Sequence, residues 1–373
     1  MCCDFSSQGM ALDWIADPYR EWPVRYPGRR AFGYLCTYAP LEVLHAAGFT
    51  PVRLMQSSGA VVLADAHLPS FACALARTVT ERMLSGGLDF LAGVLFPHTC
   101  DTMQCVADIW RMARPCFRVV TFSLPTVLSG PSHVAYALAQ LHGLSAVLES
   151  EFDAPVTEEG LRTSIALYNE QRRLLAALYE QRSLLSAEQV WMLTQASMLM
   201  PVEDSNTQLR SALAQLGAAT QPQRRGPALV LVGAVLDEPT IPRLIDELDG
   251  RVVTDDLCTG SRYFDALVHE AGDPFEALAG RYWARAPCPC KHDPAYPRAE
   301  RLLQLVHSSG AQGVVFVLPK FCDPHAFDAV PLAQALDAAG VPHVTIETDV
   351  TAPTGQLRTR LQAFIEMLRD SVA

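Results

Sequence analysis

Two stretches of the chain make the same hand-over from an apolar run to a cysteine. Gly93-Val94-Leu95-Phe96-Pro97-His98-Thr99-Cys100-Asp101 is echoed by Gly313-Val314-Val315-Phe316-Val317-Leu318-Pro319-Lys320-Phe321-Cys322-Asp323-Pro324. Each reads as a buried parallel strand that ends beside a thiol and is followed by a helical pattern. Ligands of open α/β sheets collect at the carboxyl ends of strands, so two lobes with a cysteine there can hold one cofactor between them. Cys73 offers a third thiol, because Pro69 and Ser70 are expected to open a helix with Cys73 in its first turn. The positive end of the helix dipole favours the thiolate that a metal requires. A structural zinc site closes with four ligands and draws on C-x2-C pairs, which this sequence lacks. A cubane iron–sulfur cluster held by three thiolates keeps one iron open for a substrate oxygen.

The other candidates divide more evenly. Cys36 and Cys258 also end strands, either as packed thiols beside the cofactor or as further ligands. Cys288-Pro289-Cys290-Lys291-His292 has the form of a weak metal motif and reads more readily as a turn, while Cys105 falls at an expected core position. Thr259-Gly260-Ser261-Arg262-Tyr263 gathers a hydroxyl, backbone donors and a guanidinium at a strand end, suited to an anionic group; an ordinary loop is the plainer alternative. Near the C-terminus, Glu347 and Asp349 are followed by Arg358 and Arg360, one of which is expected to serve a structural salt bridge. The phosphate loop G-x-x-x-x-G-K-[ST], a G-x-G-x-x-G after a strand and G-x-S-x-G are all absent.

The elements that must position these residues alternate strand and helix in both halves. With 373 residues, half of them apolar and only 18% charged, the chain has material for two domains and a large core. The spacing predicts an N-terminal arm over 1–30, a first α/β domain over 31–133, a helical segment and linker over 134–225, and a second α/β domain with a C-terminal helix over 226–373. The linker is placed at residues 221–227, and Thr157 is expected to cap a helix with Leu161, Ile165, Tyr168, Leu175 and Leu178 along one stripe. The expected fold class is α/β, two doubly wound flavodoxin- or Rossmann-like parallel sheets with a helical insertion and a cluster in the cleft between them.

A net charge of −11 argues against nucleic acid as a partner, and no window supplies the roughly 20 apolar residues of a membrane span. Lysine occurs only at 291 and 320, so basic roles fall to arginine. Eleven cysteines with no export signal in view fit a reduced, cytoplasmic setting better than a disulfide framework.

The motifs occur in a familiar order. Leu35-Cys36-Thr37-Tyr38-Ala39-Pro40-Leu41-Glu42, Ala46-Ala47-Gly48-Phe49, Cys73, Thr99-Cys100-Asp101, Cys258-Thr259-Gly260, Lys320-Phe321-Cys322, Ile346-Glu347-Thr348-Asp349 and Gly355-Gln356 with 360–368 follow one another. In this order and spacing the chain resembles the 2-hydroxyacyl-CoA dehydratase and benzoyl-CoA reductase family, as a D-component-type subunit. The resemblance implies a homologous second subunit in a heterodimer, or a homodimer, and a [4Fe-4S] cluster bound by Cys73, Cys100 and Cys322. It also implies a separate ATP-dependent iron–sulfur activator protein that injects one electron into a CoA thioester substrate, for dehydration or for aromatic-ring reduction. A third branch of the family carries an [8Fe-9S] double cubane and reduces small molecules, and the extra Cys36, Cys258, Cys288 and Cys290 keep that branch open. A non-catalytic partner subunit is the remaining alternative. Thr37, Arg262 and Gln356 are the candidate substrate-binding residues.

Overall fold

The computed structural model describes residues 12–57, 59–129, 132–218, 225–293, 297–349 and 354–370. Most of the expected linker, residues 221–224, lies outside them, as do Cys2 and Cys3.

Eight strands form two sheets: β1 (Ala31–Tyr34), β2 (Thr50–Arg53), β3 (Leu91–Pro97) and β4 (Val119–Phe122), then β5 (Ala228–Gly233), β6 (Arg251–Asp256), β7 (Gly313–Pro319) and β8 (His343–Thr348). The first sheet has the order β2-β1-β3-β4 and the second β6-β5-β7-β8, with every pairing parallel. The two halves therefore repeat one doubly wound topology, and the echo between 93–101 and 313–324 marks equivalent strands, β3 and β7. In the second sheet the alternation is complete. Leu229, Leu231, Val315 and Val317 pack with the C-terminal helix residues Leu361 and Phe364 on one face. Val230, Val232, Val314 and Phe316 pack with Leu302, Leu332 and Leu336 on the other. Burial on both faces is why these strands read as unbroken apolar runs.

The expected elements recur with shifted ends. Thr157 caps the helix Glu158–Glu180 by accepting from the Gly160 amide at 3.1 Å, and the stripe behind it is buried. The helix after β7 begins at Asp323, directly after Cys322, because Pro324 suits a helix start. The N-terminal arm packs on the body, with the Trp22 indole donating to the Leu199 carbonyl at 2.8 Å.

One segment departs from the expected organisation. Residues 261–292, assigned to the second domain, contain two unforeseen helices, Ser261–Phe264 and Pro274–Ala284. Tyr263, Val268, Leu278, Tyr282 and Cys288 join the core of the first sheet and helical segment. Val268 exchanges both backbone hydrogen bonds with the Asn169 amide side chain. Further on, His292 and residues 126–128 form a short parallel bridge. The halves are thus joined by crossed chain as well as by surface contact.

Two glycines differ sharply in the room around them. A Cβ on Gly233, at the carboxyl end of β5, would stand 2.0 Å from the Val317 carbonyl oxygen, whereas one on Gly143, inside the helix His133–Phe152, would meet nothing within 4 Å. Gly233→Ala is expected to lower unfolding stability by about 3 kcal/mol and Gly143→Ala to raise it by about 0.5–1 kcal/mol, both read by chemical denaturation. Asp237 offers a pH-dependent counterpart, since it joins the halves by accepting from the Gln56 amide at 2.8 Å. Burial pushes its carboxyl up to about 6, against the pull of Arg53. A raised folded-state value stabilises the protein below the unfolded value of 3.8, and that contribution fades as pH rises through about 6. Asp237→Asn should therefore remove on the order of 2–3 kcal/mol of pH dependence from unfolding curves between pH 4 and 7.

Candidate functional site

A cavity of about 860 Å³ lies between the two sheets, and its wall includes Cys73, Cys100, Cys290 and Cys322. Cys73, Cys100 and Cys322 share one local design: each is the N-cap of a helix, Ala74–Leu84, Asp101–Ala113 and Asp323–Ala338 respectively. For Cys73 this corrects the expected register, since the helix opens one residue after the thiol rather than at Pro69 and Ser70. Burial pushes all three thiols up, Cys100 to about 12. The backbone amide three residues ahead, on Ala76, Met103 or His325, acts in the opposite direction.

The other strand-end cysteines lie under the same cavity. Cys36 follows β1 and Cys258 follows β6, and the Thr37 hydroxyl ties the two loops together by donating to the Cys258 carbonyl at 2.7 Å. Arg53 donates to that hydroxyl at 3.0 Å. Thr37 is buried and stands outside the cavity wall, so it positions the Cys258 loop and does not face a substrate. Cys288 and Cys290 are brought to the cleft by the crossing segment. Cys288 is fixed by its amide donating to the Tyr38 hydroxyl at 3.1 Å, and the Cys290 amide donates to the Cys288 sulfur at 3.3 Å. The Cys290 thiol hydrogen brings Cys288 down to about 6 against its burial, with Arg262 adding to the effect, while Cys290 is pushed up. The pair is poised to share one proton. A C-x-C spacing is a weak signal in sequence because the strand-like bridge that aims it at the cleft is non-local.

Arg262 and Gln356 are corrected. Arg262 is only 1% exposed; it donates to the Gly233 carbonyl and pairs with Asp256 at 3.5 Å. A guanidinium beneath the floor cannot meet a phosphate in solvent. Gln356 is exposed on the helix Thr354–Asp370 and is absent from the cavity wall. Arg358 pairs with Glu247, which is the structural salt bridge expected of that helix. Cys105, expected in the core, is exposed, because its position on the helix Asp101–Ala113 faces away from Met103, Val106 and Trp110.

Among the described residues, no three His, Cys, Asp or Glu side chains converge as the ligands of a single ion would. The thiols instead border a volume, which suits a polynuclear group. Charge points the same way. Buried cations (Arg53, Arg172, Arg182, Arg262, Arg281, Arg285 and Lys291) number seven among the described residues, against three buried carboxylates, Glu42, Asp255 and Asp256. Arg262 Nη1 and Arg285 Nε are buried without a hydrogen-bond partner. Burial is the main reason Cys100 and Cys322 are raised, and the neighbouring cysteines add a smaller repulsion. Iron would relieve that repulsion, and the surplus guanidinium charge would balance the anionic whole. The donor set therefore fits an iron–sulfur cluster.

Fold and site together define a two-lobed α/β protein whose matching parallel sheets present their carboxyl ends, and a collection of thiols, to one cleft. The chain belongs to the 2-hydroxyglutaryl-CoA dehydratase D-component family, whose family model matches residues 36–368. It is 29% identical to the C subunit of benzoyl-CoA reductase of Thauera aromatica over 88% of each chain. It is 25% identical to the (R)-phenyllactyl-CoA dehydratase beta subunit of Clostridium sporogenes, covering 91% of this chain and 92% of that one. To the lactoyl-CoA dehydratase beta subunit of Anaerotignum propionicum it is 28% identical, with the same coverage.

The corrected place of Arg262 is testable. Arg262→Gln would leave buried Asp256 with one fewer cation and should lower stability by about 3 kcal/mol in denaturant titration. A variant as stable as the unsubstituted protein would return Arg262 to the ligand surface.

Proposed function

We propose that the chain is one subunit of an enzyme that acts on a CoA thioester, as a 2-hydroxyacyl-CoA dehydratase or a benzoyl-CoA-reductase-type oxidoreductase. In this reading Cys73, Cys100 and Cys322 hold a [4Fe-4S] cluster. A homologous partner completes the enzyme, and an ATP-dependent iron–sulfur activator supplies the electron. The observation that carries the reading is that these three cysteines, distant in sequence, each stand at the N-cap of a helix that opens on one cavity. When bound, the cluster supplies low-potential one-electron chemistry and an open coordination position.

The chain's own residues would prepare the rest. Lys291 lies on the cavity wall with its ammonium group committed to the Leu124 carbonyl at 2.9 Å, which fixes the C-x-C segment beside the cleft. The unpartnered buried guanidinium donors of Arg262 and Arg285 lie behind the cavity wall, where they would offset the charge of a cluster rather than meet an acyl group. All three relatives bear the names of subunits of larger enzymes, which supports a partner for this chain.

A second reading, a double-cubane reductase, is favoured by one specific observation. Cys36, Cys258, Cys288 and Cys290 gather around the same cleft, more thiols than a single cubane uses. Iron and acid-labile sulfide per anaerobically purified chain separate the two, with about four irons expected for the cubane and about eight for the double cubane. Cys100→Ser should abolish the brown absorption and Cys116→Ser, at an exposed thiol, should leave it intact. Equal loss from both variants would remove the three-thiol assignment.

A further inference from the structure

The cavity wall carries information about the acyl group, an inference that rests on the thioester reading above. Its carboxylates are Asp101, Asp293, Asp323 and Asp328. Asp101 and Asp323 are exposed first-turn residues, each immediately after one of the three N-cap cysteines. The cations of the wall are committed elsewhere. Arg298 spans Asp256 at 2.8 Å and both oxygens of Asp328 at 3.0 and 2.9 Å, and Lys291 is tied to the Leu124 carbonyl. His292 completes the basic side chains of the described wall and is exposed. A second carboxylate on the acyl chain would meet repulsion, with no guanidinium of the described wall free to receive it.

Much of the remaining wall is apolar, with Thr99, Thr102 and Thr126 interspersed. Phe321 and Phe327 line it with Pro287, Pro289, Pro297 and Pro331. Phe321 is held at φ 62°, a left-handed conformation that a bulky residue rarely adopts. The neighbouring backbone bonds, from Lys320 to the Thr348 carbonyl and from Cys322 to the Pro319 carbonyl, fix it there. Phe321 is 42% exposed on the cavity wall, next to Cys322 in the chain, and the Lys320 ammonium group stands 5.2 Å from the centre of its ring, leaving the other ring face to the cavity. Strain of this kind persists where the surroundings impose it, and an aromatic face presented to a cavity calls for an apolar occupant.

We infer that the site selects thioesters whose acyl group is uncharged and bulky, aromatic above all, and rejects acyl groups that carry a second carboxylate, with Phe321 as the contact and Asp101 and Asp323 as the barrier. The test is equilibrium binding of benzoyl-CoA, glutaryl-CoA and free CoA to the anaerobically purified, cluster-loaded complex of the full chain with its partner subunit. Benzoyl-CoA should bind about tenfold or more tightly than glutaryl-CoA. Phe321→Asn, which removes the ring and tolerates the left-handed backbone, should bring benzoyl-CoA down to the affinity of free CoA while leaving CoA itself unchanged. Asp323→Asn should tighten glutaryl-CoA about threefold, with cluster absorption as the control for an intact site. Equal binding of the two thioesters, or a preference that survives Phe321→Asn, overturns the selectivity and assigns the exposed ring to another surface. Failure of CoA and both thioesters to bind overturns the thioester reading itself, and the selectivity with it.

Discussion

The cleft depends on one buried carboxylate. Asp256, at the carboxyl end of β6, lies between Arg262 and Arg298. Burial alone would raise its pKa, but the two guanidinium groups override that and hold it well below the ordinary carboxylate range. Through these partners it fastens four segments at once. Arg262 reaches the end of β5 at Gly233. Arg298 reaches Asp328 on the helix that Cys322 caps, and the Pro287 carbonyl just before the C-x-C pair. A buried network of this kind contributes little net stability against well-packed apolar residues, but loss of any one member is costly because it strands a buried charge. Its service here is geometric, since it sets the strand ends, the crossing segment and a cysteine-bearing helix in one arrangement.

That arrangement explains why so much positive charge is buried in a chain whose overall charge is −11. Surplus guanidinium groups in a low-dielectric interior are unfavourable unless an anion is near. Arg281 shows the strain directly, its pKa held well below the usual arginine value by burial and by Arg172 and Arg285. The negative charge that completes the balance must come from the cleft, where the thiols are. Helix N-termini add three further partial positive charges aimed at the same place. Residues on both sides of the cavity would thus suit the anionic group of the proposed reading.

Much of this was legible from sequence, and the division between what was and what was not is physical. Cys100 and Cys322 could be located because a doubly buried parallel strand leaves an unbroken apolar run, and the residue that follows such a run lies at a predictable edge. Both sheets follow from the same signal, whereas the family rests on the order and spacing of the motifs and the strand order had to come from the structure. Burial of an arginine has no such signature. Arg262, in a Thr-Gly-Ser-Arg sequence after a strand, looks like an anion-binding loop until Asp256, six residues earlier, is seen to claim it. Thr37 and Gln356 failed for related reasons, one turned inward to a carbonyl and the other outward to solvent. Cys288 and Cys290 were obscured because their position is set by a bridge to residues 126–128, more than 150 positions away, and no local pattern encodes such a pairing.

The crossing segment also gives the two lobes a mechanical relation that a simple two-domain chain would lack. Were residues 261–292 part of the second lobe alone, the cleft could open about the linker and separate Cys100 from Cys322. Instead this segment leaves β6, buries Tyr263, Leu278 and Tyr282 in the core of the first sheet, passes Cys288 and Cys290 through the cleft and returns to β7. Opening would have to pull large apolar side chains out of a packed core, each worth roughly 1.5–3 kcal/mol of burial, and break the Val268–Asn169 pair as well. In the proposed reading, a cluster held by cysteines from both lobes would need its ligands kept at fixed separation. The chain meets that need by stitching the second lobe into the core of the first.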